Sequence, residues 1–133
     1  MIGAIDISTS GLVAQRIQLD TIAGNIANAQ TTRRLDGNPG PFLRRVALLA
    51  QGAPGGKPGV HVDSVVEDHR HPTREVKDPS HPDADENGIV YYPNVDMATE
   101  MVNAMVAVRA YEANVTAMEA TKSIIASSMR LLA

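Results

Sequence analysis

Residues 94–133 read NVDMATEMVNAMVAVRAYEANVTAMEATKSIIASSMRLLA, and after Pro93 neither proline nor glycine occurs again. Asn94 or Asp96 supplies an N-cap, so up to about 37 residues can form one helix about 55 Å long. Along it Met97, Met101, Ala104, Val108, Tyr111, Val115, Met118, Lys122, Ile125, Met129 and Leu132 recur at alternating steps of four and three. Lys122 is the single polar member, and a stripe kept up over five heptads is the seam of a coiled-coil-like pairing. Glu100 near the start and Arg130 near the end complement the helix dipole. A compact domain of this chain length has a radius of gyration of only about 14 Å, so such a helix outruns its own domain and needs partners.

Working outward, residues 4–30 contain no proline, and Ile5, Leu12, Leu19 and Ile26 repeat every seven positions, with Ile22 and Ala29 three places after the last two. This predicts a shorter helix, weakened by Gly11 and by Ser8 and Gln15 in the companion positions. Between the helices lie all eight prolines, grouped with glycines as Asn38-Pro39-Gly40-Pro41, Ala53-Pro54-Gly55-Gly56-Lys57-Pro58-Gly59 and Asp78-Pro79-Ser80-His81-Pro82. Helix is excluded over most of this stretch. Phe42–Leu49 and Val60–Val66 read as short strands, and Asn87-Gly88 before Ile89-Val90-Tyr91-Tyr92 is a hairpin-type turn signal. The expected fold is mainly α with a small β-rich insert: an antiparallel hairpin of terminal helices at 1–32 and 94–133 around a Pro/Gly-rich segment at 33–93.

The totals narrow the function classes. Hydrophobic residues make up 44% of the chain but aromatics only 3%, which suits helix-on-helix packing better than a compact ligand pocket. A net charge of -3 gives no footprint for nucleic acid, and no apolar run reaches the length of a membrane insertion. Cysteine is absent, so disulfides and thiolate metal sites are excluded. The first ten residues lack the basic start of a cleaved signal peptide.

Ala23-Gly24-Asn25-Ile26-Ala27-Asn28-Ala29-Gln30-Thr31-Thr32 resembles the Asn-x-x-Asn-Ala signature of the rod, hook and hook-associated axial proteins of the bacterial flagellum. Residues 78–88, Tyr92-Pro93-Asn94-Val95-Asp96 and Arg109-Ala110-Tyr111-Glu112-Ala113-Asn114-Val115 are similar to the short rod members of that family. Hook-type members carry Gly and an aromatic residue after the threonine, where this chain has Thr32-Arg33-Arg34. The resemblance implies a structural subunit of the basal-body proximal rod, polymerising through its terminal helices into a hollow, torque-transmitting drive shaft. It also implies export through the flagellar type III apparatus without a cleaved signal, a periplasmic location, and contacts with its own copies, other rod subunits and basal-body proteins.

The residues expected to pair the helices and drive assembly are Leu12, Leu19, Ile22, Asn25, Ile26 and Asn28 at the N-terminus. At the C-terminus they are Met97, Met101, Val108, Tyr111, Val115, Met118, Ile125 and Met129. Asn25 and Asn28 share a helix face and can also end the helix, by satisfying free carbonyls or adopting the left-handed conformation; intersubunit hydrogen bonds are a further expectation for both.

His61, His69, His71 and His81 lie among Asp63, Glu67, Asp68 and Asp83, which opens a metal-binding or metal-dependent hydrolase module as the alternative. No helical His pair fixes their spacing, and Pro72, Pro79 and Pro82 point to an open loop. Asp83-Ala84-Asp85-Glu86-Asn87-Gly88 has the wrong ligand spacing for a calcium loop and reads as a turn held by Asx hydrogen bonds. The sequence predicts no enzyme and no cofactor.

Overall fold

The proline-free ends of the chain are its two long helices. In the computed structural model, which describes residues 2–132, the order is α1 (Ile2–Ala27), β1 (Arg45–Ala53), β2 (Lys57–Glu67), β3 (Arg74–Lys77), β4 (Ile89–Tyr92) and α2 (Met97–Leu132). Asp96 caps α2: its Oδ1 accepts the Thr99 N–H at 3.1 Å. Asn94, the other cap candidate, is engaged elsewhere. α1 ends as Asn28 turns its side-chain amide back onto the Gly24 carbonyl at 2.9 Å. Among the described residues only glycines have positive φ, so this stop does not use the left-handed conformation.

The helices run antiparallel. Asn25 meets Glu100, Gly11 packs against Asn114, and the Thr9 hydroxyl approaches the Met118 sulfur at 3.9 Å. At that register α2 runs about two turns beyond the start of α1.

β1 and β2 form an antiparallel hairpin from Arg45↔Glu67 to Ala53↔Lys57, with irregularities between Leu48 and Leu49 and between Gln51 and Ala53. The hairpin lies along α1. Arg45 sits at Asn25, the Val60 N–H donates to Ser10 Oγ at 3.1 Å, and Lys57 comes within 3.9 Å of Asp6. Gly59 passes so close to Ser10, with φ of 144°, that a Cβ there would collide with the hydroxyl. α1 packs against α2, β1 and β2, while among the described residues α2 packs on α1 and on no strand. α1 is therefore the middle layer, with Ile17, Thr21 and Asn28 turned to the hairpin side.

β3 and β4 make a second ribbon, Arg74↔Tyr92 to Lys77↔Ile89, whose Val90 is fully buried. The expected strand at Phe42–Leu49 begins later and ends later, because the Arg44 N–H is captured by the Asn94 side chain and Pro54 supplies the stop. Asn87-Gly88 does not close a two-residue hairpin; it ends the loop 78–88, and β4 pairs back to β3, a strand with little β-branched content that periodicity does not reveal.

Candidate assembly surface and the polar clasp behind it

The most buried polar groups lie where α1, β1 and α2 converge. Asn25, 1% exposed, behaves like a strand partner to Arg45: its Nδ2 donates to the Arg45 carbonyl and its Oδ1 accepts the Arg45 N–H, both at 2.8 Å. The second Nδ2 hydrogen goes to Glu100 Oε2 at 3.0 Å. Glu100, with no exposure, receives Arg44 Nε on its other oxygen at 2.5 Å. The carboxylate is thus neutralised by a guanidinium and satisfied on both oxygens, the condition under which a buried charge persists. Asn25 has both donors engaged within the chain, so it has none to offer a neighbour.

The clasp continues through Arg44. Its N–H donates to Asn94 Oδ1 at 2.8 Å, its carbonyl accepts the Asp68 N–H at 2.8 Å, and its guanidinium reaches Asp68 Oδ2 at 3.4 Å. Asn94 Nδ2 donates to the carbonyls of Asp68 and His71. Asp68 also binds His71 Nδ1 at 2.7 Å and accepts the Arg70 N–H at 2.9 Å. The His71 hydrogen bond, then that backbone N–H, hold the Asp68 carboxyl down at about 2. Two further clusters brace the chain between α1 and β1. Arg34 bridges Asp36 and Glu67, lowering the Glu67 carboxyl, and Asp83 binds the Thr32 hydroxyl and Arg33, which ties the loop 78–88 to the end of α1.

Apolar burial is sparse by comparison: Ala14, Ile22, Ala29, Val90 and Ala107 are the buried hydrophobic residues among those described. The covered line of α2 runs through Glu100, Ala104, Ala107, Asn114, Val115, Met118, Thr121 and Ile125. It coincides with the sequence stripe at Ala104, Val115, Met118 and Ile125, takes in Asn114 beside Val115, and lies one residue earlier at Glu100, Ala107 and Thr121 in place of Met101, Val108 and Lys122. Glu100, drawn inward by Arg44 and Asn25, and the glycine-width approach of Gly11 to Asn114 set this rotation. Of the expected residues, Ile22 and Asn25 are buried, and Leu12, Leu19, Ile26, Asn28, Val115, Met118 and Ile125 are half-buried. Met97, Met101, Val108, Tyr111 and Met129 are exposed. Val102, Met105, Val106 and Ile124 join them, and beyond Ala107 no described residue of α2 is buried.

The four histidines do not converge. His61 bonds the Gly52 carbonyl, His71 serves Asp68, His81 accepts the Asp83 N–H and stacks edge-on with Tyr92, and His69 stands 3.8 Å from Glu67. Among the described residues no three His, Asp or Glu side chains are placed to hold a metal ion. Asp78 and Asp85 form Asx turns, each accepting the N–H two residues on. Sequence reading gave Glu100 only to the helix dipole and Asp68 only to the histidine-rich stretch, and passed over Arg44, because nothing in a single sequence links positions so far apart.

Family comparison falls on the paired helices. Residues 5–33 match the family described as flagella basal body rod protein, and residues 86–131 match the family of the C-terminal part of flagellar basal body rod FlgEFG proteins. Two long terminal helices, matched at both ends by rod families and left half-covered, define a structural subunit of the flagellar basal-body rod. The chain is 39% identical to the flagellar basal-body rod protein FlgC of Salmonella typhimurium, over 98% of its own length and 97% of that protein. It is 35% identical to the FlgC of Bacillus subtilis (96% and 95% covered) and 40% identical to that of Aquifex aeolicus (91% and 89%). The chain belongs to the FlgC family of flagellar basal-body rod proteins.

Proposed function

We propose that this subunit polymerises through α1 and α2, paired as in a coiled coil, into the proximal part of a hollow rod that transmits torque. Residues 1–32 and 94–133 form its helical core and residues 33–93 the insert. In this reading the chain is purely structural and carries no catalysis. It reaches the periplasmic part of the basal body through the flagellar type III export apparatus, without a cleaved signal, and there it meets its own copies and other rod and basal-body proteins.

The observation that carries the proposal is the unfinished burial of α2, whose outer half exposes Ile124, Met129, Leu131 and Leu132. Full burial of side chains of this size is worth about 1.5–3 kcal/mol each, which only neighbouring molecules can supply here. Ile124→Glu together with Met129→Glu leaves the helix content of the isolated chain unchanged and excludes it from purified basal bodies, with loss of swimming. Normal incorporation and motility of that variant would overturn assembly through α2.

A further inference from the structure

Asn87-Gly88 is the one place in the chain where asparagine precedes glycine. In such a pair the glycine nitrogen, with no side chain to crowd it, can lose its proton and attack the asparagine side-chain carbonyl carbon. A bond forms between Gly88 N and Asn87 Cγ, ammonia leaves, and water then opens the resulting succinimide to aspartate or to isoaspartate. The folded turn withholds that nitrogen. Gly88 is buried, and its N–H donates to the Asp85 carbonyl at 2.9 Å, closing the turn 85–88. Asp85 Oδ1 accepts the N–H of Asn87 at 2.9 Å and that of Ile89 at 2.8 Å, and the Gly88 carbonyl accepts the Asp78 N–H at 2.9 Å. The Gly88 nitrogen must leave the Asp85 carbonyl to face Asn87 Cγ, so ring closure requires the turn to open. Glycine is nevertheless demanded there: its φ is 75°, and a Cβ would stand 2.9 Å from Pro79 Cγ.

We propose that Asn87 is a spontaneous deamidation site, open while the chain is unfolded and shut by folding, and that a copy converted to isoaspartate cannot rebuild the loop 78–88. Isoaspartate puts one extra carbon into the main chain just before Gly88. Its N–H and carbonyl are then displaced from Asp85 and Asp78, the two contacts that hold the loop closed around Gly88. Asp83 lies in that loop and binds the Thr32 hydroxyl and Arg33, so the brace at the end of α1 goes with it. The aspartate product keeps the normal main chain and with it the turn. The site belongs to the single chain and is independent of how copies assemble.

Full-length chain is held at about pH 8, folded in buffer and unfolded in guanidinium chloride, and conversion at Asn87 is followed by peptide mass spectrometry with isoaspartyl methyltransferase labelling. The folded chain should convert at least about tenfold more slowly, in step with the hydrogen-exchange protection of the Gly88 amide. No conversion in denaturant, equal rates in the two states, or a slowing out of step with Gly88 protection would each overturn the site. After removal of denaturant, isoaspartate-bearing chains should exchange the Asp78 amide at least about tenfold faster than the parent, while Asn87→Asp keeps the parent's protection. An isoaspartate chain as protected as the parent, or an Asn87→Asp chain as unprotected as the isoaspartate one, would refute loss of the loop through the lengthened main chain.

Discussion

Replacing Asn25 by alanine tests the clasp where it is most concentrated. Three hydrogen bonds vanish together: two to the backbone of Arg45 and one to Glu100. Arg45 is exposed, so water can reach part of its freed amide. Glu100 has no exposure, and the oxygen that faced Asn25 is left unsatisfied. An abandoned buried acceptor costs about 1–3 kcal/mol, and the vacated volume adds about 1, giving a loss of about 3 kcal/mol. With a urea slope of about 2 kcal/mol/M, the midpoint followed by far-ultraviolet circular dichroism falls by about 1.5 M.

Asn25→Asp separates charge from shape. It keeps the volume but places a second carboxylate about 3 Å from that of Glu100, which raises the affinity of the pair for a proton in the folded state. The folded chain then binds more protons than the unfolded one, so stability falls as pH rises and returns as pH drops toward 5. The variant should be more damaged than Asn25→Ala at pH 7 and should recover part of the loss at pH 5. A midpoint shift below about 0.3 M for the alanine variant, or no acid recovery for the aspartate variant, would refute the assignment of Asn25 as the joint between α1, β1 and α2.

Acid should act on the parent chain in the opposite sense. Asp68, held near 2 against an ordinary value of about 3.9, contributes stability that is complete above about pH 5 and disappears as pH falls through 2. Urea midpoints measured from pH 5 to pH 2 should therefore decline less steeply in Asp68→Asn, and an identical acid slope would contradict the His71 contact as its cause. At the helix crossing, a Cβ on Gly11 would stand 2.7 Å from Asn114 Nδ2. Gly11→Ala should lower the melting midpoint by the equivalent of about 1–2 kcal/mol despite alanine's better helix propensity. Asn114→Ala in that background should raise it above the parent, and additive effects in the double-mutant cycle would show that the two residues do not touch.

The long helices were legible because proline is confined to the middle of the chain, and the sequence bounds for the second, 94–133, differ from Met97–Leu132 by little more than the cap. The side on which α2 meets α1 was not legible. Periodicity reports where apolar residues fall, but the covered line includes Glu100, Asn114 and Thr121, and a buried glutamate is favourable only because Arg44, 56 positions away in sequence, neutralises it. β3 was missed for a related reason: Arg-Glu-Val-Lys has no strand composition and is a strand only through its pairing with Ile89–Tyr92. Asn25 was visible in the family-like motif, but its use as a mimic of a strand partner depends on where β1 begins.

A seam of small and polar residues is a weak way to hold two helices together, and that weakness has a use. Had Met101, Val108 and Met129 faced α1, the apolar surface of α2 would have been consumed within one chain, leaving little drive for assembly. The Asn25–Glu100–Arg44 clasp instead fixes register at one end. Sliding α2 by a turn would strand Glu100 without its partners, and breaking a buried ion pair costs about 3–5 kcal/mol. That penalty is comparable to the whole stability of a small domain with so thin an apolar core. In the proposed assembly, register is therefore decided before neighbours arrive, and their arrival would supply the hydrophobic burial that the isolated chain lacks.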